Sequence, residues 1–141
     1  MDEITQGFTA DHHRCDDSFV ALEQALSQSN WDAARQAGER FLTAMSHHFM
    51  VEEEQLFPAL GGFAAGPVQV MRMEHTQMRQ LFSQLADGLT RGDQSACLDV
   101  TETLLMIMRQ HNMKEEHILY PMADQSLDDR RIGILASLRQ D

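Results

Sequence analysis

A chain of 141 residues, 43% hydrophobic and 23% charged, suits one globular domain with a sizeable core. Its formal net charge of −11, from 11 basic and 22 acidic residues, opposes phosphate backbones and anionic lipid, so neither nucleic acid nor a membrane is an expected partner. No early run is apolar enough for a signal peptide or a span, which makes the cytoplasm the expected location, and Cys15 and Cys97 do not form a disulfide framework.

Four apolar stripes follow in chain order, each stepping by three and four residues. The first is Phe8, His12, Cys15, Phe19, Leu22 and Leu26. The second, behind the predicted N-cap Asn30, is Ala34, Gly38, Phe41, Met45, His48, Glu52 and Gln55. Pro58 is expected to close this helix, before the glycine-rich GGFAAG loop and Pro67. The third stripe is Met71, His75, Met78, Phe82, Leu85 and Leu89. The fourth, behind the predicted N-cap Asp93, is Cys97, Thr101, Leu104, Met108, His111, Glu115 and Ile118, with Pro121 as its expected stop. Leu127 to Leu138 forms a fifth, short amphipathic segment. Helical spacing and short connections predict an all-α, up-down-up-down antiparallel four-helix bundle with a short C-terminal fifth helix.

The chain repeats itself. Residues 48–58 read HFMVEEEQLFP and residues 111–121 read HNMKEEHILYP, an offset of 63 (111 − 48 = 63). The same offset takes His12 to His75 and the Phe19, Leu22, Leu26 stripe to Phe82, Leu85, Leu89. One domain, 1–141, of two pseudo-symmetric hairpins, about 1–63 and 64–126, is therefore expected.

Each hairpin supplies one lone histidine and one His-x-x-x-Glu pair on a seam. Residues i and i+4 of a helix share a face about 6 Å apart along the axis, so imidazole and carboxylate reach one small volume. In a dry core such carboxylates would suffer a desolvation penalty of several kcal/mol or lose their charge. A cation removes the conflict by supplying positive charge and accepting lone pairs from both ligand types. Isolated seam histidines are usually satisfied core residues, but here six groups, His12, His48, Glu52, His75, His111 and Glu115, recur at one offset on four seams.

These motifs, with DHHRCD upstream and MEHTQM between, resemble the hemerythrin superfamily in its HHE cation-binding branch, over roughly Phe8 to Tyr120. The resemblance implies a bundle holding a non-haem di-iron centre with an oxo or hydroxo bridge. His12 and His48 would serve one iron, His75 and His111 the other, and Glu52 and Glu115 would bridge them. Oxygen-carrying hemerythrins resemble this chain in the second-helix HxxxE but carry a third-helix HxxxH and a fourth-helix HxxxxD. Here Arg79 stands four past His75, and helix four offers Glu115. The departure points away from reversible oxygen carriage and toward relatives that sense iron or oxygen, or answer nitric oxide by repairing iron sites. The expected function is binding of, or reaction with, O₂, NO or peroxide at open metal positions. Iron storage or donation for iron–sulfur cluster repair, and an iron- or oxygen-responsive regulatory module, are the alternatives. Zinc or manganese fits the same ligand types. Any electron donor or protein partner is expected to be a separate chain.

Around this set, Asp16 and Arg79 occupy equivalent repeat positions and are expected to face each other beside the metals, Asp16 as an outer ion-pair partner rather than a ligand. Glu53 and Glu116 recur in both halves, as candidates to orient the ligands, although such helix carboxylates are more commonly exposed; Asp11 and Glu74 are candidate acceptors for imidazole hydrogens. Cys15 reads as a small buried hydrophobe, and Met45, Met71, Met78 and Met108 as core filler. His13 and His47 point off the seam, replacing their neighbours only if the register slips by one residue. His117 and Glu54 read as surface, and the Tyr120 hydroxyl is expected to reach water at the bundle end, entry into the outer shell of the site being the alternative.

Overall fold

The computed structural model describes residues 2–140, and no strand occurs among them. Helix α1 (Glu3–Ser27) turns into α2 (Trp31–Val51), which passes through a π-helical turn, Glu52–Leu56, into the one-turn helix α3 (Phe57–Leu60). After a 3-10 turn at Gly62–Ala64, α4 (Ala65–Arg91) pairs with α5 (Gln94–Lys114). A second π-helical turn, Glu115–Leu119, leads into α6 (Tyr120–Ser126), and α7 (Arg130–Arg139) ends the fold. α1 packs along α2 and α4 along α5, giving the predicted four-helix bundle with a short C-terminal helix.

Local chemistry sets the helix ends where expected. The Asn30 side chain accepts from the Ala33 amide and Asp93 from the Ala96 amide, satisfying first-turn donors of α2 and α5. The turns before them match at the repeat offset: Ser29, at φ 54°, stands where the second half has Gly92 at φ 64°. Asp124 of α6 accepts the Ile4 and Thr5 amides, which ties the start of α1 to the far end of the chain. α7 lies against α1 and buries Ile134, Leu135 and Leu138. Gly7 permits this approach, because a Cβ there would stand 2.6 Å from Leu135 Cδ2.

Two details differ from expectation. Pro58 and Pro121 do not stop their helices. Each follows a π-helical turn, closed by the Phe57 amide on the Glu52 carbonyl and by the Tyr120 amide on the Glu115 carbonyl. A proline inside a helix removes one amide donor and crowds the carbonyl four residues back; the wider turn accommodates both effects. The extra residue in each turn also rotates the register. Gln55 is only half-buried and Ile118 is 53% exposed, while Leu56 and Leu119 take the core positions.

Apolar side chains form two clusters. One contains Phe19, Phe41, Phe82, Leu85 and Leu104; the other contains Phe8, Leu56, Phe57, Leu60, Leu119 and Leu138. Each fully buried Leu or Phe contributes about 1.5–3 kcal/mol by leaving water. Met45 and Met78 fill the first cluster as expected of flexible side chains, with Met108, while Met71 fills the second. Between the clusters lies a polar layer supplied by all four long helices. Among the described residues, no helix is long and apolar enough to cross a membrane.

Candidate metal centre

The layer holds His12 from α1, His48 from α2, His75 from α4 and His111 from α5, with Glu52 and Glu115 from the first residues of the two π turns. All six are buried, the two carboxylates and His75 completely. Their ligand atoms fall into two overlapping groups, His12, His48, Glu52, Glu115 and Glu52, His75, His111, Glu115, each with its atoms within 4.8 Å of one another. Both carboxylates belong to both groups.

Every imidazole is oriented from outside by a carboxylate. The Nδ1–H of His12 donates to Glu116 at 2.7 Å, that of His48 to Asp11 at 2.7 Å, that of His75 to Glu53 at 2.7 Å and that of His111 to Glu74 at 2.8 Å. These bonds fix the tautomer and turn each Nε2 lone pair inward, as a metal ligand requires. They also obey the repeat offset, since Asp11 matches Glu74 and Glu53 matches Glu116. The two bonds to Glu53 and Glu116 cross between the hairpins.

Three of the outer carboxylates are held by cations. Arg14 lies 2.7 Å from Asp11, Arg79 grips Glu53 through two bonds of 2.9 Å, and Lys114 binds Glu74. The Arg79 guanidinium also lies over the Phe49 ring, which itself stacks on His75 at 3.7 Å. Among the described residues no Lys or Arg pairs with Glu116. That carboxylate lines a groove of about 460 Å³ between α1 and α5, together with His13, Asp16 and Met108. The anticipated Asp16–Arg79 pair is not the one formed: Arg79 holds Glu53, while Asp16 is exposed and lies outside both donor groups. Position in the repeat does not decide which helix faces which.

The electrostatics follow from burial and pairing. Burial works against the charged form of His48, but the Glu52 charge and the Asp11 hydrogen bond outweigh it and hold the imidazole up to about 10. Against the same burial, Glu115 and Glu74 hold His111 up to about 9. Glu52 is kept well below the usual carboxylate range, burial being overcome chiefly by the His48 charge beside it. Glu116 is lowered chiefly by its bond to His12. Burial, with the Asp11 charge, pushes the Cys15 thiol up to about 12, so it remains a neutral core group as expected.

The remaining histidines lie outside the cluster. His13 and His117 are exposed, as is Glu54, and His47 Nε2 donates to the Ser137 carbonyl of α7 at 2.9 Å, anchoring the C-terminal helix. Tyr120 departs from expectation most. Rather than reaching water, it is fully buried, with its hydroxyl 2.6 Å from Glu52 Oε2 and 2.8 Å from Glu115 Oε1. The register gained in the π turn brings it inward. The only sign in the sequence was that it stands where the first half has Phe57.

The residues fit a bound cation. Glu52 Oε1, His75 Nε2, His111 Nε2 and Glu115 Oε2 are buried without a hydrogen-bond partner, a costly arrangement for four lone-pair donors facing one volume. His75 Nε2 and Glu52 Oε1 lie 3.1 Å apart, and His111 Nε2 and Glu115 Oε1 3.3 Å apart, spacings suited to ligands sharing one ion. Nitrogen and oxygen donors in buried pairs define a helical-bundle metal-binding protein. A family model, the hemerythrin HHE cation-binding domain, matches residues 3–123. The chain belongs to that family. No curated protein and no solved structure matches it.

Proposed function

We propose that the chain is one domain of two hairpins, residues 1–63 and 64–126, that holds two iron ions and binds or reacts with a small oxidant such as O₂, NO or peroxide. The observation that carries this reading is the pair of buried donor groups sharing Glu52 and Glu115. Two neutral imidazoles per group and two shared carboxylates suit borderline divalent metals such as iron, and the donor count leaves coordination positions unfilled by protein. When bound, the iron pair would supply redox equivalents and those open positions.

The protein's contribution is orientation and exclusion. His12 and His48 would hold one ion, His75 and His111 the other, and the two glutamates would span both. Asp11, Glu53, Glu74 and Glu116 set imidazole direction and raise ligand basicity. Phe49, stacked on His75, and Phe8, 5.6 Å from the His48 ring, keep water from the ligand layer. Rapid mixing of the ferrous protein with O₂ or NO tests the proposal: the absorption spectrum should change at once. A fully iron-loaded protein whose spectrum responds to neither O₂, NO nor peroxide contradicts it.

A further inference from the structure

The two donor groups are not equivalent, and the difference is one oxygen atom. The Tyr120 hydroxyl stands within 2.6–3.3 Å of all four donors of the first group: Glu52 Oε2, Glu115 Oε1, His12 Nε2 and His48 Nε2. At the matching position of the other half stands Phe57, whose ring stacks near His75 at 5.8 Å and brings no donor. The four orphaned ligand atoms include both imidazole nitrogens of the second group and neither of the first.

The contacts of Tyr120 exceed what a phenol can satisfy. A phenol carries one proton. The hydroxyl contacts both carboxylates and can give that proton to only one of them. Both carboxylate contacts are short, 2.6 and 2.8 Å. The ring cannot easily withdraw, because it is completely buried and packs 5.1 Å from Phe8 and 5.6 Å from His12. An oxygen 2.6–3.3 Å from four donor atoms that themselves lie within 4.8 Å of one another is instead the crowding of ligands around a single cation with bonds of about 2.0–2.1 Å.

We propose that Tyr120 is a metal ligand, a phenolate donor completing the His12–His48 subsite and leaving the His75–His111 subsite without one. On metal entry the phenol O–H bond breaks, its proton passes to solvent, and the oxygen lone pair binds the ion, with no change of oxidation state. The two subsites thereby become chemically distinct: the first has five protein donors and favours a trivalent ion, the second has four and stays more open. This rests on the metal-binding reading above.

The chain contains one tyrosine, so a phenolate signal has one possible source. Metal-stripped protein titrated with ferric nitrilotriacetate should develop a phenolate-to-iron charge-transfer band in the visible, with resonance-enhanced phenolate ring vibrations, as iron enters the His12–His48 subsite. Tyr120→Phe, which copies the Phe57 arrangement, should lose the band entirely while still taking up iron in the second subsite. Wild-type protein that binds two ferric ions without the band or the ring vibrations overturns the assignment of Tyr120 and leaves the metal site standing. Protein that takes up no iron overturns the proposed function and, with it, this inference.

Discussion

Asp11, Glu53, Glu74 and Glu116 touch no metal-facing atom, yet each decides where an imidazole lone pair points. Removing the charge while keeping the shape isolates that role. Glu53→Gln should leave the fold intact and weaken metal binding about 10- to 100-fold, the usual cost of losing such a partner, read by competition with a chelator. Unchanged affinity would show that the His75 orientation does not depend on Glu53. The raised imidazoles give a second prediction at this scale. An unfolded histidine titrates near about 6.5, while His48 and His111 are held up to about 10 and about 9. Their folded values lie above the unfolded one, so the stability they contribute is complete below about pH 6.5 and is lost as pH rises through about 9 to 10. Chelator-treated protein should therefore show a melting temperature that falls across that window; a flat profile would mean that the two imidazoles do not bear the charge. Much of this residue-level pattern was legible in the sequence, because the seam positions of the six buried His and Glu side chains follow from spacing alone. The partner of Arg79 was not. Whether it met Asp16 or Glu53 depends on how two hairpins dock, which no spacing within one helix encodes.

The π-helical turns are the element that sequence periodicity missed. Counting by three and four put Gln55 and Ile118 on the seam and sent Tyr120 outward; one extra residue per turn buried Leu56, Leu119 and Tyr120 instead. The prolines that follow were visible, but they read as helix stops because an unbroken α-helix was assumed up to them. Deleting Gln55 should remove the extra residue and leave an α-helical turn after Glu52, with Leu56 in the seam position that unbroken counting gave Gln55. The expected result is that cooperative unfolding is retained, measured by denaturant titration; loss of cooperativity would show that the wide turn itself is required. The interhelical turns carry a gentler test. Ser29 has the left-handed backbone that glycine adopts in the other half. Ser29→Gly should raise stability by about 0.5–1 kcal/mol, since the strain relieved exceeds the added freedom of the unfolded chain. No gain in urea unfolding would mean that Ser29 is not strained. The caps Asn30 and Asp93 sit where the sequence placed them, because capping is a local interaction.

Across the whole molecule, two apolar clusters enclose a layer of four imidazoles and two carboxylates. The bundle and its internal repeat were readable because every long helix keeps one apolar stripe. The closeness of the two donor groups arises only when the hairpins meet, so helix spacing does not carry it; it was expected only through the resemblance, which implied that Glu52 and Glu115 are shared. Such a core makes folding and metal binding one linked process: a ligand that binds only the folded state stabilises it by about 2.7 kcal/mol at about one hundred times its dissociation constant. Metal removal should accordingly lower the melting temperature, and a chelator without effect would argue that the layer is stable on its own.

The most direct measurement is metal analysis of the protein purified without added metal, repeated for His75→Ala and Glu115→Ala. The account predicts iron at two ions per chain in the wild type, with much of it lost in either variant. A wild-type protein that is metal-free, takes up no iron when offered it and unfolds at the same temperature with and without it would contradict the account.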